Sequence, residues 1–190
     1  VSQTAMGLEV PRLVMNIEVV ERDLLIDFSL TLVGDENDDS IMLSVPPNSE
    51  ILLLKDNLGD VEGDMENSDL HISFTPFREN EQRTIVGRIE SKNVIAEKGS
   101  FYEFLYVFHA PEGIEIPLEL TLQLPERNLL VENESIRPLF SVYDDSENSL
   151  WWGEDISEEE IFLARFVPEK KTVIWGWLLG ILVGAAFVVV

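Results

Sequence analysis

The sequence predicts an all-β fold, an antiparallel, Ig-like β-sandwich of about nine or ten strands, followed by a C-terminal transmembrane α-helix. Three observations predict it. Apolar and polar residues alternate with a period of two through several segments between residues 12 and 124. The segments between them are rich in Asp, Asn, Gly, Pro and Ser, the residues that make turns. Residues 172–190 (TVIWGWLLGILVGAAFVVV) carry no charge. The chain accordingly divides into an acidic β-sandwich domain over 1–167, a juxtamembrane linker over 168–171 and a membrane helix over 172–190.

Taken in order, Arg12 to Val20 places Leu13, Met15, Ile17 and Val19 in phase, and Leu24 to Val33 does the same with Leu24, Ile26, Phe28, Leu30 and Leu32. Only Glu21 to Asp23 separate the two, so they form an antiparallel hairpin. Shorter strands are expected at 40–45, 50–55, 69–75, 83–91, 138–143 and 159–167. Phe101 to His109 is apolar on both faces, which reads as a central strand covered on both sides. In Ile114 to Leu124 every second residue is Ile or Leu, a half-buried strand. Pro117 falls on its outward face and removes a ladder donor, which predicts an edge position or a bulge.

The membrane helix follows from length. At about 1.5 Å per residue it reaches roughly 28 Å, close to the roughly 30 Å hydrocarbon core of a bilayer. Trp175 and Trp177 suit the headgroup level as an aromatic belt, with Lys170 and Lys171 at the interface before them. Gly176, Gly180 and Gly184 recur every four residues and form one ridge on which a second helix can approach closely, a pattern for lateral association. Orientation stays open. Lys170 and Lys171 precede the span and no charge follows it, which taken alone puts the acidic domain in the cytosol on a tail anchor. The other topology needs basic residues beyond Val190. Val1 in place of Met leaves open a removed signal peptide, a missing upstream piece, an unusual start codon or an artificial boundary.

Composition narrows the function. The chain holds 36 Asp and Glu against 13 Lys and Arg, a formal charge of −23. Glu169, Lys170 and Lys171 together carry +1, so residues 1–167 hold −24. Such a field repels phosphate, and no nucleic-acid partner is expected from these residues. Cysteine is absent, which removes disulfides, thiolate metal sites and thiol nucleophiles. No G-x-S-x-G elbow, phosphate-cradling glycine loop or H-E-x-x-H helix occurs, so no catalytic residue and no cofactor is assigned.

Three clusters still invite chemistry. Asp56, Asp60, Glu62, Asp64 and Glu66, and separately Asp35, Glu36, Asp38 and Asp39, offer the oxygen ligands that Ca²⁺ takes. An EF-hand loop begun at Asp60 has Met65 where Gly belongs and His71 where Glu belongs, so solvated turns are the expectation. His71 and His109 lie in separate strands, each expected to face a neighbouring strand. Trp151 and Trp152 either form an exposed binding platform, or one of them closes the bottom of the sandwich.

Several phrases also carry a resemblance. Val45-Pro46-Pro47 leads to Leu52-Leu53-Leu54 and the turn Asp56-Asn57-Leu58-Gly59-Asp60; Arg83-Thr84-Ile85-Val86, Leu122-Gln123-Leu124-Pro125, Leu150-Trp151-Trp152 and Asp155 to Phe162 follow. Over residues 40 to 190 the chain resembles uncharacterised archaeal membrane-anchored proteins. The resemblance implies an extracytoplasmic β-sandwich, then a transmembrane helix, and often a cytosolic winged-helix domain, a part that a sequence ending at Val190 leaves unseen.

The expected function is a non-enzymatic, single-pass membrane protein whose extracytoplasmic sandwich acts as a sensor or interaction module. A ligand or partner would shift how the anchors pair. Its partners are the lipid bilayer and either another protein or a second copy met through the helix. The alternative is a structural or accessory subunit of a larger membrane complex, in one form tail-anchored with a cytosolic domain. A membrane-tethered glycan hydrolase is a third reading, resting only on the abundance of carboxylates.

Overall fold

The computed structural model describes residues 7–58, 61–78, 81–125, 128–130, 142–144 and 148–168. Fourteen strands account for most of them: β1 (Glu9–Val20), β2 (Asp23–Val33), β3 (Ser40–Ser44), β4 (Ser49–Asp56), β5 (Val61–Glu66), β6 (Asp69–Phe74) and β7 (Gln82–Ser91) in the first half, and β8 (Ala96–Lys98), β9 (Phe101–His109), β10 (Ile116–Gln123), β11 (Asn128–Leu130), β12 (Val142–Asp144), β13 (Ser149–Ile156) and β14 (Glu159–Pro168) in the second. They form a seven-stranded sheet in the order β12-β13-β10-β1-β2-β7-β4, a four-stranded sheet β11-β14-β9-β8 and a three-stranded sheet β3-β6-β5. The fold is all-β and sandwich-like, in three sheets rather than the two of the immunoglobulin pattern.

Alternation decides which residues meet. Leu13, Met15, Ile17 and Val19 of β1, Leu24 to Leu32 at every second position of β2, and Leu118, Leu120 and Leu122 of β10 are all buried on one face of the large sheet. Against them lie Phe104, Tyr106 and Phe108 of β9 and Phe162, Ala164 and Phe166 of β14, in one continuous core with Ile41, Leu43, Leu70 and Ile72 of the small sheet. Trp152 of β13 joins the layers by meeting Phe162 edge-on at 5.6 Å. Gly87 in β7 pairs with Phe28 of β2, whose ring occupies the space where a Cβ would stand.

The hairpin of β1 and β2 forms as the spacing predicts, from Val19 opposite Leu24 to Leu13 opposite Leu30. Four expectations need correction. The sheet is mixed, because β1 and β10 run parallel, Leu13 beside Leu118 and Ile17 beside Leu122. A parallel neighbour requires a long connection, and almost a hundred residues separate these two strands. Next, β10 is interior, between β1 and β13, so Pro117 is on no edge. It sits at the second residue of its strand, one position before the β1 ladder begins at Leu118, where its missing N–H costs that ladder nothing.

Thirdly, β9 is covered on one face only. Phe104, Tyr106 and Phe108 are buried while Leu105 on the other face is 48% exposed. Lastly, the acidic run Glu62, Asp64, Glu66 is strand β5 rather than a turn. It lies at the edge of the small sheet, where outward charges blunt further pairing. Beyond the strands anticipated, β5, β8, β11 and β13 bring the count above the nine or ten expected. The predicted membrane helix lies outside the described residues. Among the described residues no helix is long and apolar enough to cross a membrane.

Candidate functional site

A concavity lies where the two layers part, at the end carrying the β1–β2 turn. Its walls are Glu21, Arg22 and Asp23 of that turn, Asn93, Tyr102 of β9, Pro125 and Phe166 of β14, around a cleft of about 530 Å³. The turn is firmly held. Glu21 adopts a left-handed φ of 60°, uncommon for a residue with a long side chain. The amides of Val94 and Ile95 both donate to the Arg22 carbonyl, at 3.0 and 3.1 Å, and the Asn93 amide donates to Asp23 Oδ1 at 2.8 Å. These bonds fix the turn against the segment after β7, which is how the strained residue is retained.

The floor is aromatic, with Tyr102 stacked on Phe166 at 5.8 Å. The cation in the wall is committed: Arg22 bonds Glu97 of β8. The described lining therefore offers an aromatic base and carboxylates. Because β14 ends at Pro168, two residues after Phe166, the cleft opens at the end where the described chain stops.

The two tryptophans separate as alternation on β13 requires. Trp152 is buried in the core, so one of the pair closes the sandwich, and its indole Nε1 has no hydrogen-bond partner among the described residues. Trp151, 43% exposed, points outward beside Thr121 of β10, and its ring lies over Gly153, where a Cβ would collide with it. The Gly153 backbone thus lies against the indole of Trp151. The outer face of the β9–β14 ladder carries more apolar surface than Trp151 alone. Leu105 stands opposite Leu163 and Val107 opposite Ile161, with the Glu103–Arg165 and His109–Glu159 pairs at either end.

Sequence reasoning missed the most elaborate polar contact. Arg83 of β7 is 1% exposed. Its guanidinium is flanked by the rings of Phe74 and Phe77, at 5.2 and 5.1 Å from their centroids. Its Nη1 is 3.1 Å from Asp56 Oδ2, with both side chains out of water, and its Nη2 donates to Thr75 Oγ1 at 3.2 Å. The other Asp56 oxygen accepts the Leu58 amide. This cluster fastens the end of β4 to β6 and β7. The only sequence signal is an arginine in phase with Ile85 and Ile89 on the buried face of a strand.

The remaining candidates fall into place or outside it. Around Asp35 the carboxylates cap their own turn: Asp38 Oδ2 accepts the Asp35 amide and Asp35 Oδ1 the Asn37 amide, each at 2.8 Å. Among the described residues no three His, Asp or Glu side chains are placed to hold a metal ion. His109 faces Glu159 across the β9–β14 ladder at 3.3 Å, and His71 pairs with Met42 and Asp64. Asp60 and the residues of the proposed anchor, Lys170, Lys171, Trp175, Gly176, Trp177, Gly180 and Gly184, lie outside the described residues.

No family model and no curated protein matches the chain. Solved structures do resemble it. The M1 zinc metallopeptidase from Deinococcus radiodurans aligns with a TM-score of 0.56 at 13% identity, over 85% of this chain and 42% of that one. A protein from Legionella pneumophila described as a putative nutrient binding protein aligns with a TM-score of 0.60 at 9% identity, over 92% and 73%. Native leukotriene A4 hydrolase from Saccharomyces cerevisiae aligns at 0.54 and 9%, over 84% and 29%. The chain spans less than half the length of the peptidase and less than a third of the hydrolase. At these identities the likeness shows the fold alone.

Proposed function

We propose that this chain is a non-enzymatic, single-pass membrane protein whose sandwich-like domain lies outside the cytoplasm and acts as a sensor or interaction module. The observation that carries the reading is the uncharged stretch Thr172 to Val190 directly after a domain of charge −24. Support comes from the cleft with an aromatic floor at the end where β14 finishes and from the exposed apolar block of β9 and β14. Anchor pairing along Gly176, Gly180 and Gly184 would transmit the state of the domain. The peptidase and hydrolase activities named for the similar structures are not carried over.

Because the chain has no cysteine, a single Glu18→Cys on the outward face of β1 is a clean probe of topology. The full chain should sediment with membranes after alkaline washing, and the probe should react with a membrane-impermeant maleimide on intact cells. Release by the wash overturns the anchor. Labelling only after lysis overturns the extracytoplasmic placement and favours a cytosolic tail-anchored domain. A second reading, an accessory subunit of a larger complex, is favoured by one observation: the fold recurs as part of much longer chains. Co-purification of a stoichiometric partner in mild detergent would support it over self-association.

A further inference from the structure

We infer that the outer face of the β9–β14 ladder is a self-association surface, occupied by the same face of a second copy of this chain. The inference rests on the membrane-anchored reading above. Leu105 and Ile161 are 48% and 43% exposed, and with their cross-strand partners Leu163 and Val107 they form a two-by-two apolar block. An ion pair closes one end, Arg165 Nε to Glu103 Oε2 at 2.8 Å, and the His109 imidazole facing Glu159 closes the other. Apolar centre and polar rim are the anatomy of an interface.

Charge selects the occupant. A chain at −23 repels its own copies over most of its surface, and a basic partner would be drawn to the acidic faces. The four central side chains carry no charge, Arg165 offsets Glu103 at one end, and only Glu159, beside the His109 imidazole, is left at the other, so it is a place where two copies can meet with few like charges opposed. A two-fold axis through the block sets leucine and isoleucine of one copy against those of the other, the isologous contact that closes at two. Size limits how firmly the block can hold alone. Four side chains fall short of the roughly 800 Å² per partner of a stable free-standing interface, so the contact needs help. Two anchors in one membrane supply it by raising the effective concentration of the paired faces. The strand that carries Ile161 and Leu163 is the one that leads into the anchor.

The test uses the full-length chain reconstituted in vesicles, with single Ile161→Cys or Leu105→Cys variants treated with a short bis-maleimide. Glu18→Cys, on the outer face of the opposite layer, is the reference. Dimer yield should be about fivefold or more above the reference, fall to the reference when Leu163→Asp is added, and rise with salt as repulsion is screened. Equal yields at Ile161 and Glu18 overturn the inference, as does a yield that falls with salt. Failure of the membrane reading is seen separately: the chain would not stay with the vesicles at all. If the chain is retained and Ile161→Cys still gives the reference yield, only the self-association surface is lost.

Discussion

The β9–β14 ladder presents similar residues on its two faces and buries only one. Inward stand Phe104, Tyr106, Phe108, Phe162, Ala164 and Phe166; outward stand Leu105, Val107, Ile161 and Leu163. Between the Glu103–Arg165 and His109–Glu159 pairs at its ends the outer face is apolar too, so apolarity at the centre of the ladder cannot tell the faces apart. What separates them is the large sheet, which arrives on one side from strands distant in sequence and brings Trp152 against Phe162. Burial here is a property of the second layer, and the sharpest way to break the comparison is to remove the contact that joins the layers. Trp152→Ala should cost about 3–5 kcal/mol in a denaturant titration of the domain, the range for emptying a large aromatic site. Trp152→Phe retains a ring and deletes an indole N–H that has no partner among the described residues, so it should cost well under half of that. Equal losses from the two variants would mean that the indole N–H matters more than the packing.

Two arginines of β7 repeat the contrast. Arg83 points in, between Phe74 and Phe77 and against Asp56, while Arg88 points out and forms a two-bond pair with Asp27 at 2.7 and 2.9 Å. Removing Arg83 leaves Asp56 buried and unpaired, so Arg83→Ala should destabilise by about 3–5 kcal/mol. A double variant, Arg83→Met with Asp56→Leu, replaces both charges by apolar volume and should recover most of the loss. Arg88→Ala, in water, should leave the unfolding midpoint close to that of the parent. A large effect at Arg88 together with a small one at Arg83 would invert the assignment.

How much of this was legible follows from the same contrast. The β1–β2 hairpin could be read because its pattern is local: a period of two on each strand and a short loop between them. The parallel contact of β1 with β10 could not, since nothing near Leu13 or Leu118 encodes which strand lies beside it. Strand β5 was hidden because Glu62, Asp64 and Glu66 look like loop, although an edge strand tolerates outward charge. Phe101 to His109 was misjudged for the opposite reason, its outer residues being apolar enough to appear covered. Of the candidate site, the division of Trp151 from Trp152 followed from alternation once the strand was known. The cleft was not legible, because Glu21, Tyr102 and Phe166 meet only through the packing of two layers.

A smaller effect sharpens the comparison within the inner face itself. Tyr106 is fully buried, and its hydroxyl donates to the Ser44 carbonyl at 2.7 Å while Ser44 Oγ donates to Val107 at 3.2 Å, tying β3 to β9. Burial raises the Tyr106 phenol far above its ordinary value. A group whose folded pKa is raised contributes stability that is present below the unfolded pKa, about 10 for tyrosine, and is lost as pH climbs beyond it. Stability should therefore fall above about pH 10 with a contribution of up to ~1.4 kcal/mol per pH unit from this one group. Tyr106→Phe should cost about 1–2 kcal/mol at neutral pH, since the Ser44 carbonyl loses a donor. It should also flatten the alkaline limb, which thermal unfolding between pH 8 and 11 would reveal.

The smallest expected effect tests the outer face. Ile161→Thr keeps a β-branched side chain on the strand, and so preserves its backbone preference, while removing apolar surface that is already 43% exposed. A position left in water in the folded chain gains little from burial, so the unfolding free energy of the monomeric domain in dilute solution should change by no more than about 0.5 kcal/mol. That near-zero value is informative because Trp152→Ala, which empties the ring contact with Phe162 one position along from Ile161, should cost many times more. A loss of about 2 kcal/mol or more at Ile161 would mean that the outer block is covered by another part of the same chain, and the difference between the two faces of the ladder would then be one of which segment covers them rather than of whether they are covered.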